Sequence, residues 1–251
     1  MTTRSSSPIL VMAFAVTAYV LTSCARDTPK APVPWDSNDH TTIRWVPDPA
    51  ADLMSPEGTF VRATKESWDA AWRGQGNGMD AIRNGGYPGF ERVFNNIMNA
   101  GEVGGRGHLD SPVVGTDYNV IVGLSRHGDR FTAEICTDSR QTASLADNGK
   151  YLMNHLGDSV SSSTMTFGPD PKIPAEQQHS PLDHQRGAAK RPSDNVFGSW
   201  VLFEHHVTRA INPKCRRFAP GDPLKESDSS VRPDPPPTLP PDPGWPEGSK
   251  V

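Results

Sequence analysis

Two β-rich runs set the strongest limit on how this chain can fold. Tyr118-Asn119-Val120-Ile121-Val122-Gly123-Leu124 leads into Arg126-His127-Gly128-Asp129, and Phe131-Thr132-Ala133-Glu134-Ile135-Cys136 returns. β-Branched and aromatic residues on both sides of a glycine-containing turn predict an antiparallel hairpin. Residues 161–167 predict a third strand. Residues 197–210, with Trp200, Val201, Leu202, Phe203 and Val207, predict a long last strand.

Helical spacing supplies a second layer. Ser55-Pro56-Glu57 reads as a helix start: a cap, a proline in the first turn and a carboxylate near the positive end of the dipole. Phe60, Val61, Thr64, Trp68, Ala71 and Trp72 follow on one face. Gly74-Gln75-Gly76-Asn77-Gly78 closes the helix, and residues 79–84 form a short helical piece. Tyr87-Pro88-Gly89 opens another helix, with Phe90, Val93, Phe94, Ile97 and Met98 along one stripe. Helices followed by antiparallel strands predict an α+β fold, two or three helices on one face of a curved sheet. The expected core sets Phe60, Trp68, Phe90 and Phe94 against Val120, Val122, Ile135, Val201 and Phe203.

The apolar residues crowd into 55–218. Elsewhere the chain holds much of its complement of 25 prolines, and only 35% of its residues are hydrophobic. Residues 24–54 read as a proline-rich tether, and residues 219–251 as a proline-rich tail with too little apolar surface to order itself. Residues 168–195 read as a polar insertion, a functional loop or a disordered one. Residues 138–156 read as a loop with one helical turn.

The amino end is a targeting segment. Arg4 precedes an apolar run of about 14 residues, too short to span a bilayer comfortably. It ends at Leu21-Thr22-Ser23-Cys24. The order resembles a bacterial lipoprotein signal. The resemblance implies loss of residues 1–23, a lipid thioether on Cys24, and a place on the outer face of the cell membrane. A plain signal peptide or membrane anchor with a chance cysteine is the alternative. In an exported chain the remaining pair, Cys136 and Cys215, predicts a disulfide closing a loop of about 80 residues. A catalytic or metal role for the two would lack any C-x-x-C support.

The formal charge of -4 and the lack of a basic patch argue against nucleic acid as a partner. The glycines at 74–78 follow no strand and lack the Lys-Ser/Thr of a phosphate loop, so no nucleotide cofactor is implied. There is no G-x-S-x-G elbow. His205 and His206 are adjacent on a strand and point to opposite faces, so they cannot chelate one metal ion together. His179 and His184 lie in the polar insertion with no cysteine nearby.

Glu134-Ile135-Cys136-Thr137-Asp138-Ser139 and Gly198-Ser199-Trp200-Val201 carry a wider resemblance. With the lipobox, the tether and a first helix bearing a tryptophan near its end, the chain resembles actinobacterial, mycobacterial-type lipoproteins with a nuclear-transport-factor-two-like cone domain. The resemblance covers roughly 55–218 and implies a pocket between the helices and the concave face of the sheet. Some members of that group sit on prophages. Enzymes of the superfamily, such as polyketide cyclases and ketosteroid isomerases, place an acid or base in that pocket. The residues available here are Tyr118, Glu134, Glu204, His205 and His206, and strict alternation puts Glu204 and His206 on one strand face. Two functions follow as expectations. One is a non-catalytic module binding an envelope protein or a small apolar ligand, with no cofactor. The other is a small-molecule isomerase or hydrolase using Glu204 and His206.

Overall fold

In the computed structural model, residues 39–73, 76–98, 100–103, 111–153, 159–208, 213–218 and 231–248 are described. They all belong to the unit Val33–Val251. The targeting segment, Cys24 and the tether up to residue 38 lie outside the described residues. The fold is mixed α+β, a curled, mainly antiparallel half-barrel with few helices and one disulfide.

The first helix, α1, is Pro56–Arg73. The Ser55 hydroxyl accepts the Gly58 N–H at 3.0 Å, and Glu57 sits in the first turn, which is the capping chemistry the local sequence prescribes. Two short helices follow, α2 (Met79–Gly85) and α3 (Phe90–Phe94). α2 crosses α1 so closely that a Cβ on Gly85 would lie 2.5 Å from the Ala70 carbonyl oxygen. Only glycine fits there.

The strands are β1 (Asp39–Trp45), β2 (Val113–His127), β3 (Arg130–Asp138), β4 (Thr142–Leu145), β5 (Tyr151–Met153), β6 (Val160–Pro169), β7 (Trp200–Thr208) and β8 (Val231–Arg232). β2 and β3 form the expected hairpin, and β6 and β7 pair antiparallel outside β3. β1 runs parallel along one edge of β2, which leaves β3 and β4 to follow one another along the other edge. The stretch expected as a loop with a helical turn is the hairpin of β4 and β5.

Phe60 stacks on Phe167 at 4.7 Å between ring centroids, and Phe131 stacks on Trp200 at 5.0 Å. Phe60, Trp68, Phe90, Phe94, Ile121, Ala133, Ile135, Met165, Phe167, Trp200 and Leu202 share one buried cluster. Each such side chain contributes roughly 1.5–3 kcal/mol of burial. The strand side of this core differs from the expected list because Ile121, Trp200 and Leu202 face the helices, and alternation turns their neighbours Val120 and Val201 the other way. Both long strands also carry bulges. β7 has one extra residue at Phe203, between the pairs Phe167–Leu202 and Thr166–Glu204. β2 has another between Ile121 and Gly123. A bulge resets the alternation of faces. Val120, which pairs with Cys136, joins Cys136, Cys215 and Phe218 in a second cluster, with Val122 packed against it. Phe203 lies half-buried under the Arg130 guanidinium.

The domain edges extend beyond 55–218. Residues 39–45 form β1, and Trp45 is buried, so the tether expected to reach residue 54 ends earlier. The tail expected to be unordered is packed on the domain over residues 231–248. β8 pairs with β5, Arg44 bonds Asp242 at 2.9 Å, and Trp245 is among the most deeply buried side chains. Residues 168–195 are irregular yet tied down. Lys190 Nζ donates to the Thr41 carbonyl at 3.0 Å, and Arg191 donates to the Gly85 and Gly86 carbonyls at 2.7 and 2.8 Å. Ala189 and Trp245 exchange backbone hydrogen bonds. The chains run so close here that a Cβ on Gly187 would lie 2.2 Å from the Trp245 carbonyl oxygen. Backbone groups in these segments find partners in each other and in buried side chains, which substitutes for apolar density in the sequence.

Candidate functional site

Along α1, Lys65, Trp68, Asp69, Trp72 and Arg73 form one stripe, since residues three or four apart share a helix face. The stripe stands over Thr137 of β3, Ser161 and Ser163 of β6, and His205 and Val207 of β7. The cleft between them has a volume of about 440 Å³ and is also bounded by Met98 and Ser139. Closer to the start of α1, large rings meet the sheet and fill the space. Here the strands present serine and threonine, so the two layers do not close. Its size is that of a small-molecule site.

The bulge at Phe203 decides which side chains enter. Beyond it, His205 pairs with buried Met165, and Val207 pairs with Ser163. These residues face the helix. Glu204 and His206 point the other way and are exposed. They do share a face, as strict alternation requires, but Trp200 and Leu202 do not share it with them. The acid–base pair expected from the sequence is therefore absent from the cleft. Tyr118 packs in the second cluster, and Glu134 pairs with Lys214 at 3.0 Å away from the cleft. His184 is exposed, and His179 is engaged through its backbone with Ser199. Cys136 and Cys215 are bonded, with 5.4 Å between Cα atoms.

The charges lining the cleft are paired. Lys65 is bonded to Asp69. Arg73 lies 3.1 Å from Asp117 and 3.6 Å from Asp39. Burial would lower the Arg73 pKa, but the carboxylates of Asp117, Asp39 and Asp69 outweigh it and raise it. His205 is different. Both its ring nitrogens are sealed from solvent and neither has a hydrogen-bond partner; the same holds for the Ser163 hydroxyl. The Trp68 ring stands across the imidazole at 4.3 Å between centroids. Burial, with the charge of Lys65, lowers the His205 pKa to about 4, so the ring is neutral near pH 7.

A second polar cluster lies on the other side of α1. Glu66 is buried and accepts from Trp45 Nε1 at 2.8 Å, Trp245 Nε1 at 2.8 Å and the Tyr87 hydroxyl at 2.5 Å. Arg62, fully buried, lies over the Trp245 ring at 4.4 Å and donates to the carbonyls of Gln185, Pro243 and Gly244. Burial raises the Glu66 pKa against the pull of Arg62 and the three donors. This cluster is a structural joint: apart from Arg62 Nε its side-chain donors are engaged, and the adjoining cavity is only about 40 Å³.

In comparisons with known proteins, no family model, no curated protein and no solved structure matches the chain. No helix among the described residues is long and apolar enough to cross a membrane.

The hairpin and the helix starts are readable in sequence; a pocket between helices and sheet is what the resemblance implies, but apart from His205 the residues that line the cleft are not those expected. Trp68 reads as core because its spacing fits the core stripe. The stripe of 65, 68, 69, 72 and 73 was the available signal: a face mixing indoles with charges does not pack flat on a sheet.

Proposed function

We propose that this chain is an extracytoplasmic lipoprotein, held on the cell membrane through a lipid on Cys24, whose domain is a non-catalytic module that takes a small, mostly apolar molecule into the cleft between α1 and the sheet. In this reading the curled sheet and its helices make a nuclear-transport-factor-two-like cone. The lipobox supports the address, and the bonded cysteine pair fits an oxidising compartment. The observation that carries the binding reading is the α1 stripe held off the sheet, leaving a cleft of about 440 Å³ walled by Trp68, Trp72, Met98 and Val207. The enzyme reading rested on Glu204 and His206, and both are exposed on the face away from the cleft.

Two measurements test this. The neutral dye phenylnaphthylamine should brighten on adding the chain, and Val207→Arg should abolish the effect. Val207 is 59% exposed at the cleft mouth, so the substitution blocks entry without disturbing the core. Equal dye binding by both forms would refute the cleft as the site. Separately, Cys24→Ser should give a soluble or an uncleaved chain. Unchanged retention of a cleaved, substituted chain would refute the anchor.

A further inference from the structure

We infer that the cleft's ligand is an uncharged ring molecule, apolar over most of its surface, whose single hydroxyl group is held by His205 and Ser163. This rests on the cleft being the binding site.

The cations and anions lining the cleft are spent on each other, Lys65 on Asp69 and Arg73 on Asp117 and Asp39. A charged ligand would lose its hydration and find no free counter-charge, which is costly in a half-enclosed site. A neutral His205 offers no positive charge to a carboxylate either.

Hydrogen-bonding capacity narrows the class further. A neutral imidazole has one N–H donor and one bare acceptor nitrogen, and a serine hydroxyl both donates and accepts. In the protein none of these capacities is met at His205 or at Ser163 Oγ. An N–H aimed at the Trp68 ring would be a second-order contact and would still leave the acceptor nitrogen unserved. Ser163 and His205 are diagonal neighbours across the β6–β7 pair on the helix-facing side, since Ser163 pairs with Val207 and Met165 with His205. Diagonal neighbours lie roughly 7–8 Å apart, a gap that an imidazole and one small group between the two side chains span. A hydroxyl fits once the imidazole and the serine side chain turn their sealed polar atoms into the cleft: it accepts from one and donates to the other. A ketone or ether only accepts, and a hydrocarbon does neither.

The walls select the body of the ligand. Trp68 and Trp72 lie 6.5 Å apart between centroids and are tilted by 49°. Their faces, with Met98 and Val207, favour a flat ring system by offset or edge contact.

The test uses three probes with one ring and different heads: naphthol, methylnaphthalene and naphthoate. Each is titrated into the full chain near pH 7, followed by tryptophan fluorescence and by nitrogen NMR of the His205 ring. Naphthol should bind about tenfold more tightly than either of the others, the worth of one good buried hydrogen bond. It should also shift the His205 nitrogen signals. His205→Leu should lower naphthol affinity about tenfold to the methylnaphthalene level, leaving methylnaphthalene itself within about twofold. Ser163→Ala, which only removes an oxygen, should act in the same direction and guards against misfolding of the first variant. Naphthoate binding as tightly as naphthol would overturn the inference. So would equal binding of naphthol and methylnaphthalene with no effect of either substitution, though the cleft would stand as a binding site. Failure of every probe to bind would overturn the binding reading as well.

Discussion

The Trp245 indole donates its N–H to Glu66 Oε2 at 2.8 Å, joining positions 179 apart in sequence. One oxygen pair on α1 thereby collects donors from β1, the α2–α3 connection and the C-terminal segment. Arg62, one helical turn earlier, takes up carbonyls of the same C-terminal segment. The segment around Trp245 is thus part of the core.

Ending the chain at Pro220 should therefore be expensive. It removes the buried Trp245 and strips Arg62 of the Pro243 and Gly244 carbonyls. A loss of about 3–5 kcal/mol in urea unfolding is expected, the range for deleting a buried large aromatic. Trp245→Ala in the full chain should give most of it. A loss within about 0.5 kcal/mol would show that the segment does not pack as described.

Glu66→Gln should destabilise by about 1–3 kcal/mol, although it is nearly isosteric. Three donors converge on two acceptor oxygens, and an amide replaces one of them with a fourth donor. Combined with Trp245→Phe, the substitution should cost less than the two separately. Full additivity in that double-mutant cycle would argue against a direct Glu66–Trp245 interaction.

His205 predicts an acid-side weakness. The native ring stays neutral down to about pH 4, whereas the unfolded chain takes up a proton near 6.5. The unfolded state binds more protons in that window, so stability falls as pH drops from about 6.5 to about 4 and is level below it. The loss from this group should be about 3–4 kcal/mol. Lys65 and His206 disfavour the charged ring, while Asp69 favours it. Denaturation midpoints across pH should show the slope, and His205→Leu should flatten it. An unchanged slope in that variant would assign it elsewhere.

Opening the Cys136–Cys215 bond should cost about 2–5 kcal/mol. The bond fixes the 3-10 turn Pro213–Arg217 and buried Phe218 against the outer face of the sheet. Mild reduction, or the paired serine substitution, should lower the melting temperature while the helix-facing cluster stays intact. Near-ultraviolet dichroism of Trp68 and Trp200 reports that cluster. Its collapse on reduction would mean that the bond holds the whole domain.

Local physics made parts of this fold readable from the chain. The cap at Ser55, the helical spacing from Phe60 to Trp72 and the glycine turn between β2 and β3 depend on near neighbours only. The pairing of Cys136 with Cys215 followed from their number and the expected compartment. What tertiary structure alone decided depends on distant partners. A single extra residue at Phe203 exchanged the faces of β7, sending His205 into the cleft and Glu204 and His206 to solvent, and nothing in the local sequence marks it. β1 exists because β2 offers it an edge more than sixty positions later. Trp245 sits in a tail too poor in apolar residues to order itself. Its burial is stabilised by Arg62 and Glu66, whose own cost of burial is offset only when that tail arrives.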